Sequence, residues 1–179
     1  MDDAPNYGDT GGTIGHELTH GFDDEGSQFD AKGNLRNWWT KEDREKFEAK
    51  TKCVQDQYAQ YVVVDDVHIN SALTLGEDVA DLGGEVLGYM AWKDETKDKR
   101  LQPVDGLTPE QRFFIGFAQW DCANERPEDL RVRAATDPHS PAQYRINGVV
   151  VNMPEFFQAF SCKAGQPMTK PPEKVCRVW

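Results

Sequence analysis

The chain has 179 residues, of which 38% are hydrophobic and 28% charged, and its formal net charge at pH 7 is -11. That length suits a single domain, residues 1–179, with a buried core. The acidic charge argues against nucleic acid and anionic membrane as partners, because phosphate binding needs clustered Lys and Arg. No apolar run can span a bilayer and no secretory signal opens the chain, so we expect no membrane contact by this segment and no targeting signal within it.

The first half of the chain is predicted to be mostly helical. Residues 1–9 are polar and turn-like, and a first helix is expected to begin near residues 9–10, whose side chains can cap free N–H groups. Thr40 is a predicted N-cap for a helix that runs to about Tyr61. The apolar spacing over residues 72–96 predicts the longest helix.

The second half continues this mainly α-helical pattern, and the chain has only a few short strands. Thr108-Pro109-Glu110-Gln111 has the residues of a capping box at the start of an aromatic helix. Two runs of three valines, 62–64 and 149–151, are predicted strands. Asn152 is expected to cap a last helix, and the tail from residue 165 looks irregular.

One short motif points to metal chemistry: His16-Glu17-Leu18-Thr19-His20. On a helix, His16 and His20 stand one turn apart on the same face, so both imidazoles can reach one metal ion. Glu17 then projects beside them toward a water on that metal, which is the signature of a zinc hydrolase. The alternative is a surface helix with solvated histidines.

A hydrolytic zinc site needs three protein ligands and one open position. The spacing leaves several candidates for the third ligand: Glu77, His68, His139 and the acidic residues after His20. Glu77 is attractive because Asp81 follows it by four residues on the same predicted helix, and a carboxylate that orients a ligand histidine often accompanies such sites. The other interpretation of this acidic pair is a solvated stripe.

Several longer stretches, spread in order over nearly the whole chain, carry a family resemblance. They are Asn6-Tyr7-Gly8, residues 14–24 around the histidine motif, Asn37-Trp38-Trp39-Thr40, residues 73–84 around Glu77, Asp137-Pro138-His139-Ser140-Pro141 with Tyr144-Arg145, and the ending Cys176-Arg177-Val178-Trp179. In these the chain resembles the C-terminal catalytic part of the neprilysin and endothelin-converting enzyme family, M13, of zinc endopeptidases. The resemblance implies a thermolysin-like catalytic lobe built around the histidine-motif helix, with peptides as substrates.

The resemblance also implies a role for each matching residue. His16, His20 and Glu77 would hold one Zn²⁺ per chain, and Glu17 would be the general base. Asp81 would hydrogen-bond a ligand imidazole. His139 would stabilise the oxyanion, Asp137 would orient His139, Arg145 would bind a substrate carbonyl, and His68 would have a structural hydrogen-bonding role.

Four cysteines allow three pairings, and composition does not choose among them. The resemblance implies that Cys53 pairs with Cys176, which would fasten the irregular tail to the helix after Thr40. Cys122 and Cys162 match cysteines whose family partners lie outside this segment, so they are free or pair with each other. Disulfides imply an oxidising compartment, hence a secreted, periplasmic or outward-facing parent protein.

The chain also departs from the family pattern. It is much shorter than a family member. The N-terminal helical lobe that roofs the active site is expected to be absent, and so is the edge strand that pairs with the substrate backbone. Gly12-Thr13 replaces a more apolar pair, and Trp120-Asp121-Cys122 stands where Val-Trp usually precedes the cysteine. Both places line the primed-side pocket in relatives, so an acid there would favour a basic or polar substrate side chain.

The sequence is therefore compatible with three alternative functions. The first is a zinc endopeptidase acting on oligopeptides. The second is a zinc-binding module without peptidase activity, whose apolar face would contact the missing lobe or a second copy of the chain. The third is an acidic helical interaction protein without metal.

Overall fold

Helices dominate the computed structural model, which describes residues 3–179. They are α1 (Asp3–Asn6), α2 (Gly12–Thr19), α3 (Lys41–Tyr58), α4 (Leu75–Thr96), α5 (Pro109–Trp120), α6 (Pro127–Thr136), α7 (Ala142–Val150) and α8 (Pro154–Ala159). Two short strands, β1 (Val62–Val64) and β2 (Val67–His68), pair antiparallel across a tight turn. The mainly α prediction with a few short strands is confirmed.

The chain is helical earlier than its composition predicts. From Asp3 it passes through α1, a π-helical turn at Tyr7–Gly11, α2 and a 3₁₀ turn at His20–Phe22 without a break. The turn-like prediction for residues 1–9 is wrong for residues 3–9, while residues 1 and 2 lie outside the described part. The reason is tertiary: α1 packs on α5 and buries Ala4, which overrides weak local propensity.

The two predicted threonine caps are confirmed. The Thr40 hydroxyl accepts the backbone N–H of Asp43 at the start of α3. At the start of α5 the Thr108 hydroxyl accepts the Gln111 N–H, and the Gln111 side chain accepts the Thr108 N–H in return. This reciprocal capping box satisfies two N–H groups that the helix itself leaves unpaired.

The predicted strand at residues 149–151 is wrong, because these valines close helix α7 and lie buried in the core. A run of three valines does not distinguish a buried strand from a buried helix end. Asn152 also does not cap α8, whose N-cap is Met153. The Asn152 side chain instead forms hydrogen bonds with α3, α7 and the tail.

The contact between α2 and α4 determines where the candidate site lies. A Cβ atom on Gly15 would come within 2.5 Å of the Gly84 carbonyl oxygen, and one on Gly84 within 2.4 Å of the His16 nitrogen. The two backbones therefore touch, which only glycine at both positions permits. This close packing brings the histidine motif on α2 beside the acidic face of α4.

The irregular tail is tied down at two points. Cys53 on α3 and Cys176 form a disulfide that spans 123 residues, and Cys176 is buried. The Val178 carbonyl accepts a bond from Lys50 Nζ on the same helix. Cys122 and Cys162 are both free thiols. None of the helices within residues 3–179 has the length and apolar composition of a membrane span.

Candidate metal centre

The two motif histidines converge on one point. His16 lies in α2 and His20 opens the 3₁₀ turn that continues it, so the helical rotation keeps both side chains on one face. Their Nε2 atoms are 2.9 Å apart. His16 is only 6% exposed, which argues against solvated surface histidines.

Glu77, in the first turn of α4, supplies a carboxylate to the same point. Its Oε2 lies 3.4 Å from His16 Nε2 and its Oε1 lies 3.7 Å from His20 Nε2. One ligand atom from each of the three residues falls within 4.8 Å of the others. Ligands that are each about 2.0–2.1 Å from a tetrahedral zinc lie about 3.3 Å apart, so the spacing fits zinc. Glu77 Oε2 is buried without a hydrogen-bond partner among the described residues, which also suits a metal ligand.

Each histidine has a carboxylate behind it. His16 Nδ1 lies 2.8 Å from Asp81 Oδ1, although the ring N–H is not aligned well enough for a hydrogen bond. His20 Nδ1 lies 2.7 Å from Asp23 Oδ2, and Asp23 Oδ1 accepts backbone N–H groups from the following turn. Such carboxylates favour the proton on Nδ1 and leave Nε2 free for a metal. Burial acts to lower the pKa of His20, but the bond to Asp23 and the charge of Glu77 raise it above its usual value.

Arg145 on α7 is held by Asp81 rather than left free. Its Nε and one Nη donate to the two Asp81 oxygens at 2.8 and 2.7 Å, and the same Nη lies 3.5 Å from Glu77 Oε2. Its guanidinium stacks over Trp120 at 4.5 Å from the ring centroid. Although burial opposes the charge, these carboxylates raise the pKa of Arg145 above its usual range. Arg145 thus adds a fixed positive charge beside the metal centre.

His139 reaches the centre from the segment between α6 and α7. Its Nε2 is 3.3 Å from Glu77 Oε1, and Asp137 Oδ1 lies 2.8 Å from its Nδ1 and accepts its backbone N–H. Partial burial acts to raise the pKa of Asp137, but the bonds from His139 and Arg133 lower it to about 2. Asp137 is therefore ionised at neutral pH and fixes the orientation of the His139 ring.

Of the candidate third ligands, Glu77 is the one that the described structure brings into the cluster. His68 is exposed on β2, where its Nδ1 lies 3.1 Å from the Ala59 carbonyl oxygen. Glu17 is exposed beside the two histidines, on the solvent side of α2. The sequence marks the acids after His20 only as possible ligands and does not predict that Asp23 contacts His20 Nδ1. Its spacing, three residues after His20 on a helical path, was the available signal.

Two histidines of one continuous helical segment, each with a carboxylate behind it, and a third carboxylate from the neighbouring helix α4 define a site of the zinc metallohydrolase type. The chain belongs to peptidase family M13, which it matches over residues 1–177.

Curated relatives and solved structures agree with this assignment. Neprilysin-1 of Caenorhabditis elegans is 46% identical over 182 residues, covering 98% of this chain and 24% of that protein. Human endothelin-converting enzyme 1 is 43% identical over 179 residues, covering 98% of this chain and 23% of that protein. The chain thus spans about a quarter of the length of the curated relatives that it matches.

Solved structures share the fold of this chain. The zinc metalloprotease Zmp1 of Mycobacterium tuberculosis, solved with an inhibitor, superposes with a TM-score of 0.94 at 41% identity, covering all of this chain and 28% of that one. PepO of Lactobacillus rhamnosis superposes with a TM-score of 0.84 at 34% identity, covering 98% of this chain and 26% of that one. The predicted fold class and family are therefore both confirmed.

Proposed function

We propose that residues 1–179 form the catalytic unit of a zinc-dependent endopeptidase that hydrolyses peptide bonds of oligopeptides. The observation that carries this proposal is the convergence of His16, His20 and Glu77 on one point, with Glu17 exposed beside it, in a member of family M13. The three ligands would hold one Zn²⁺ per chain and leave a fourth position toward solvent. When bound, zinc supplies a Lewis acid that lowers the pKa of a water and polarises a carbonyl group.

In this proposal Glu17 handles the proton. As an exposed carboxylate next to the ligand histidines, it takes a proton from the attacking water as the carbon–oxygen bond forms. It then passes that proton to the departing amine as the carbon–nitrogen bond breaks. The centre buries most of its other charges, so this exposed acid is the one placed to exchange protons with a substrate.

His139 and Arg145 would bind the oxygen atoms of the substrate. Asp137 at Nδ1 orients the His139 ring so that its Nε2 faces the centre, where an Nε2–H group would donate to the developing oxyanion. Arg145 uses Nε and one Nη for Asp81, which leaves its other Nη for a substrate carbonyl. Asp81 would thus orient His16 and Arg145 together.

The disulfide bears on where the protein acts. Cys53–Cys176 would persist in an oxidising compartment, so we propose an extracytoplasmic location, as a secreted, periplasmic or outward-facing protein.

A second candidate function is a zinc-binding module without peptidase activity. An exposed apolar groove along α2, α4 and the tail favours it, with Leu18, Phe22, Leu87, Met90 and Trp179 each more than 40% exposed. Such a face suits contact with a further lobe of the parent protein or with a second copy.

A zinc titration coupled to a quenched-peptide cleavage assay distinguishes these functions. We expect one zinc per chain and cleavage that a chelator blocks, whereas zinc binding without turnover would favour the module. Glu17→Gln should keep the zinc and lose about 10²- to 10⁴-fold in kcat, the usual contribution of a general base. Undiminished hydrolysis by Glu17→Gln would remove Glu17 from this role.

A further inference from the structure

A third acid continues the acidic face of α4 into the protein core. Glu85 follows Asp81 by one helical turn, as Asp81 follows Glu77, so the three carboxyl groups line one face. Glu85 is 0% exposed, and neither of its carboxyl oxygens has a hydrogen-bond partner among residues 3–179. Buried polar groups are nearly always paired, so this carboxyl needs an explanation.

The carboxyl of Glu85 faces a narrow cavity behind the metal centre. The cavity is lined by Gly12, His16, Asp81, Glu85, Phe117 and Trp120. On one side the Glu85 carboxyl lies against bare backbone, since a Cβ on Gly12 would come within 2.5 Å of Oε2. On the other side the Phe117 and Trp120 rings stack with centroids 6.1 Å apart. The cavity therefore has aromatic walls and an acid at its inner end.

None of the described residues around Glu85 donates a hydrogen bond to its carboxyl group. Both Asp81 oxygens are occupied by Arg145, and the Nε2 of His16 faces the candidate metal position. Burial raises the pKa of the Glu85 carboxyl well above its usual range, and the negative charge of Asp81 raises it further. An unpartnered acid in this place lowers stability, whereas an incoming cation would pair with it.

We propose that this cavity is a side-chain pocket for a Lys or Arg residue that flanks the scissile bond, with Glu85 as the residue that pairs with its charge. The pocket adjoins His16, so a side chain in it would belong to a residue next to the reacting carbonyl. The aromatic walls suit the alkyl stem of Lys or Arg and the face of a guanidinium group. This inference rests on the proposed peptidase function and names its substrate class.

The pocket has to open before a side chain can enter. In the present conformation it is narrower than a water molecule, and the Trp120 ring, 6.0 Å from the His16 ring, forms its outer wall. Trp120 is the last residue of α5 and is partly exposed, and residues 122–124 after it are non-helical and exposed. Entry of a substrate side chain therefore requires the Trp120 ring to move off the Phe117 ring and the Arg145 guanidinium that it lies against. From the sequence, Asp121 is the acid expected to favour a basic or polar substrate side chain. The sequence pattern does not single out Glu85 for this role.

Binding measured without turnover tests the pocket directly. The zinc-loaded Glu17→Gln chain is titrated calorimetrically with two peptides that differ only in Lys or norleucine after the scissile position. We expect the Lys peptide to bind at least about 30-fold more tightly, the usual scale for a buried charge pair. Adding Glu85→Gln should bring the two affinities close together, and Glu85→Met should reverse the preference. Glu95→Gln, which removes an exposed acid from the same helix, should preserve it.

The outcomes test the pocket and the peptidase function separately. The pocket is overturned if both peptides bind with equal affinity, if neither binds, or if a preference for Lys survives both Glu85 variants. Circular dichroism and zinc content confirm that each variant is folded, and either Glu85 variant suffices if the other does not fold. Cleavage sites are then mapped by mass spectrometry with the wild-type zinc-loaded chain. Lys-selective binding without any cleavage would reject the peptidase function and leave the pocket standing.

Discussion

The molecule has two buried polar clusters, which differ in how completely their polar atoms are hydrogen-bonded. The metal centre gathers His16, His20 and Glu77 on one point, and it leaves Glu77 Oε2 there without a hydrogen-bond partner among the described residues. The second, which we call the tail cluster, joins Gln57, Asn152, Lys170 and Cys176. Unsatisfied groups that converge on one point suit a ligand, whereas a fully paired network suits structure.

The tail cluster pairs every polar atom that it buries around Asn152. The Asn152 amide nitrogen donates to Gln57 Oε1 and to the Gly148 carbonyl. Its amide oxygen accepts from Lys170 Nζ and from the Cys176 N–H, both at 2.9 Å. The Gln57 amide nitrogen donates to the Tyr61 hydroxyl and to the Gly148 carbonyl. The Cys53–Cys176 disulfide beside it completes a purely structural joint between α3, α7 and the tail.

The largest expected effect is at the metal centre. Replacing His16 by Ala removes one of three ligands, so zinc content should fall from one per chain to near zero, and peptide cleavage should fall to background. Metal analysis and the cleavage assay measure both. The tail cluster lies elsewhere, so circular dichroism should still show a folded chain. A variant that retains one tightly bound zinc would remove His16 from the ligand set.

The tail disulfide should affect stability and leave metal binding alone. Changing Cys53 and Cys176 to Ser is expected to lower the free energy of unfolding by about 2–5 kcal/mol, because the bond closes a loop of more than 100 residues. Denaturant titration of the metal-free chain measures this change. The matched control is Cys122→Ser, which alters a free, exposed thiol and should change nothing. Loss of zinc affinity in the folded double variant would contradict the separation of the two clusters.

A smaller effect is expected from the carboxylate behind His20. Asp23→Asn keeps an oxygen for the backbone N–H groups of the turn but removes the charge that orients the ring. Zinc should bind about 10- to 100-fold more weakly. Asp30→Asn is the control, since Asp30 makes similar backbone contacts in an exposed turn. Unchanged zinc affinity in Asp23→Asn would show that Asp23 serves only the turn.

The smallest effect is a pH dependence in the tail cluster. Burial lowers the pKa of Lys170 from its usual 10.5 to about 8. Between these two values the unfolded chain binds more protons than the folded one, so this group makes stability rise with pH. The gain should stay below about 1 kcal/mol, because Lys170 is only partly buried and solvent screens it. Denaturant titrations at pH 7.5 and 9.5, with Cys122 and Cys162 changed to Ser, should show the rise, and Lys170→Met should abolish it.

Local signals in the sequence predicted much of the fold. Thr40 and Thr108 begin their helices as capping chemistry requires, and the apolar spacing located α4 to within a few residues. The failures occurred where packing outweighs propensity. Residues 3–9 are helical because α1 packs on α5, and the valines at 149–150 are helical because α7 buries them. The sequence does not predict the role of Asn152, because three of its four partners lie 18 to 95 residues away.

By itself, the sequence determined the ligand types and their local geometry. Spacings of four residues place His16 beside His20 and Glu77 beside Asp81, since a helix returns to the same face after about one turn. Only the tertiary structure decided which of these pairs meet. The contact between Gly15 and Gly84 joins the two helices, and long-range contacts bring Arg145 and His139 to Glu77. The same packing leaves the Glu85 carboxyl buried without a partner, because burial and pairing depend on what the rest of the chain places around a residue.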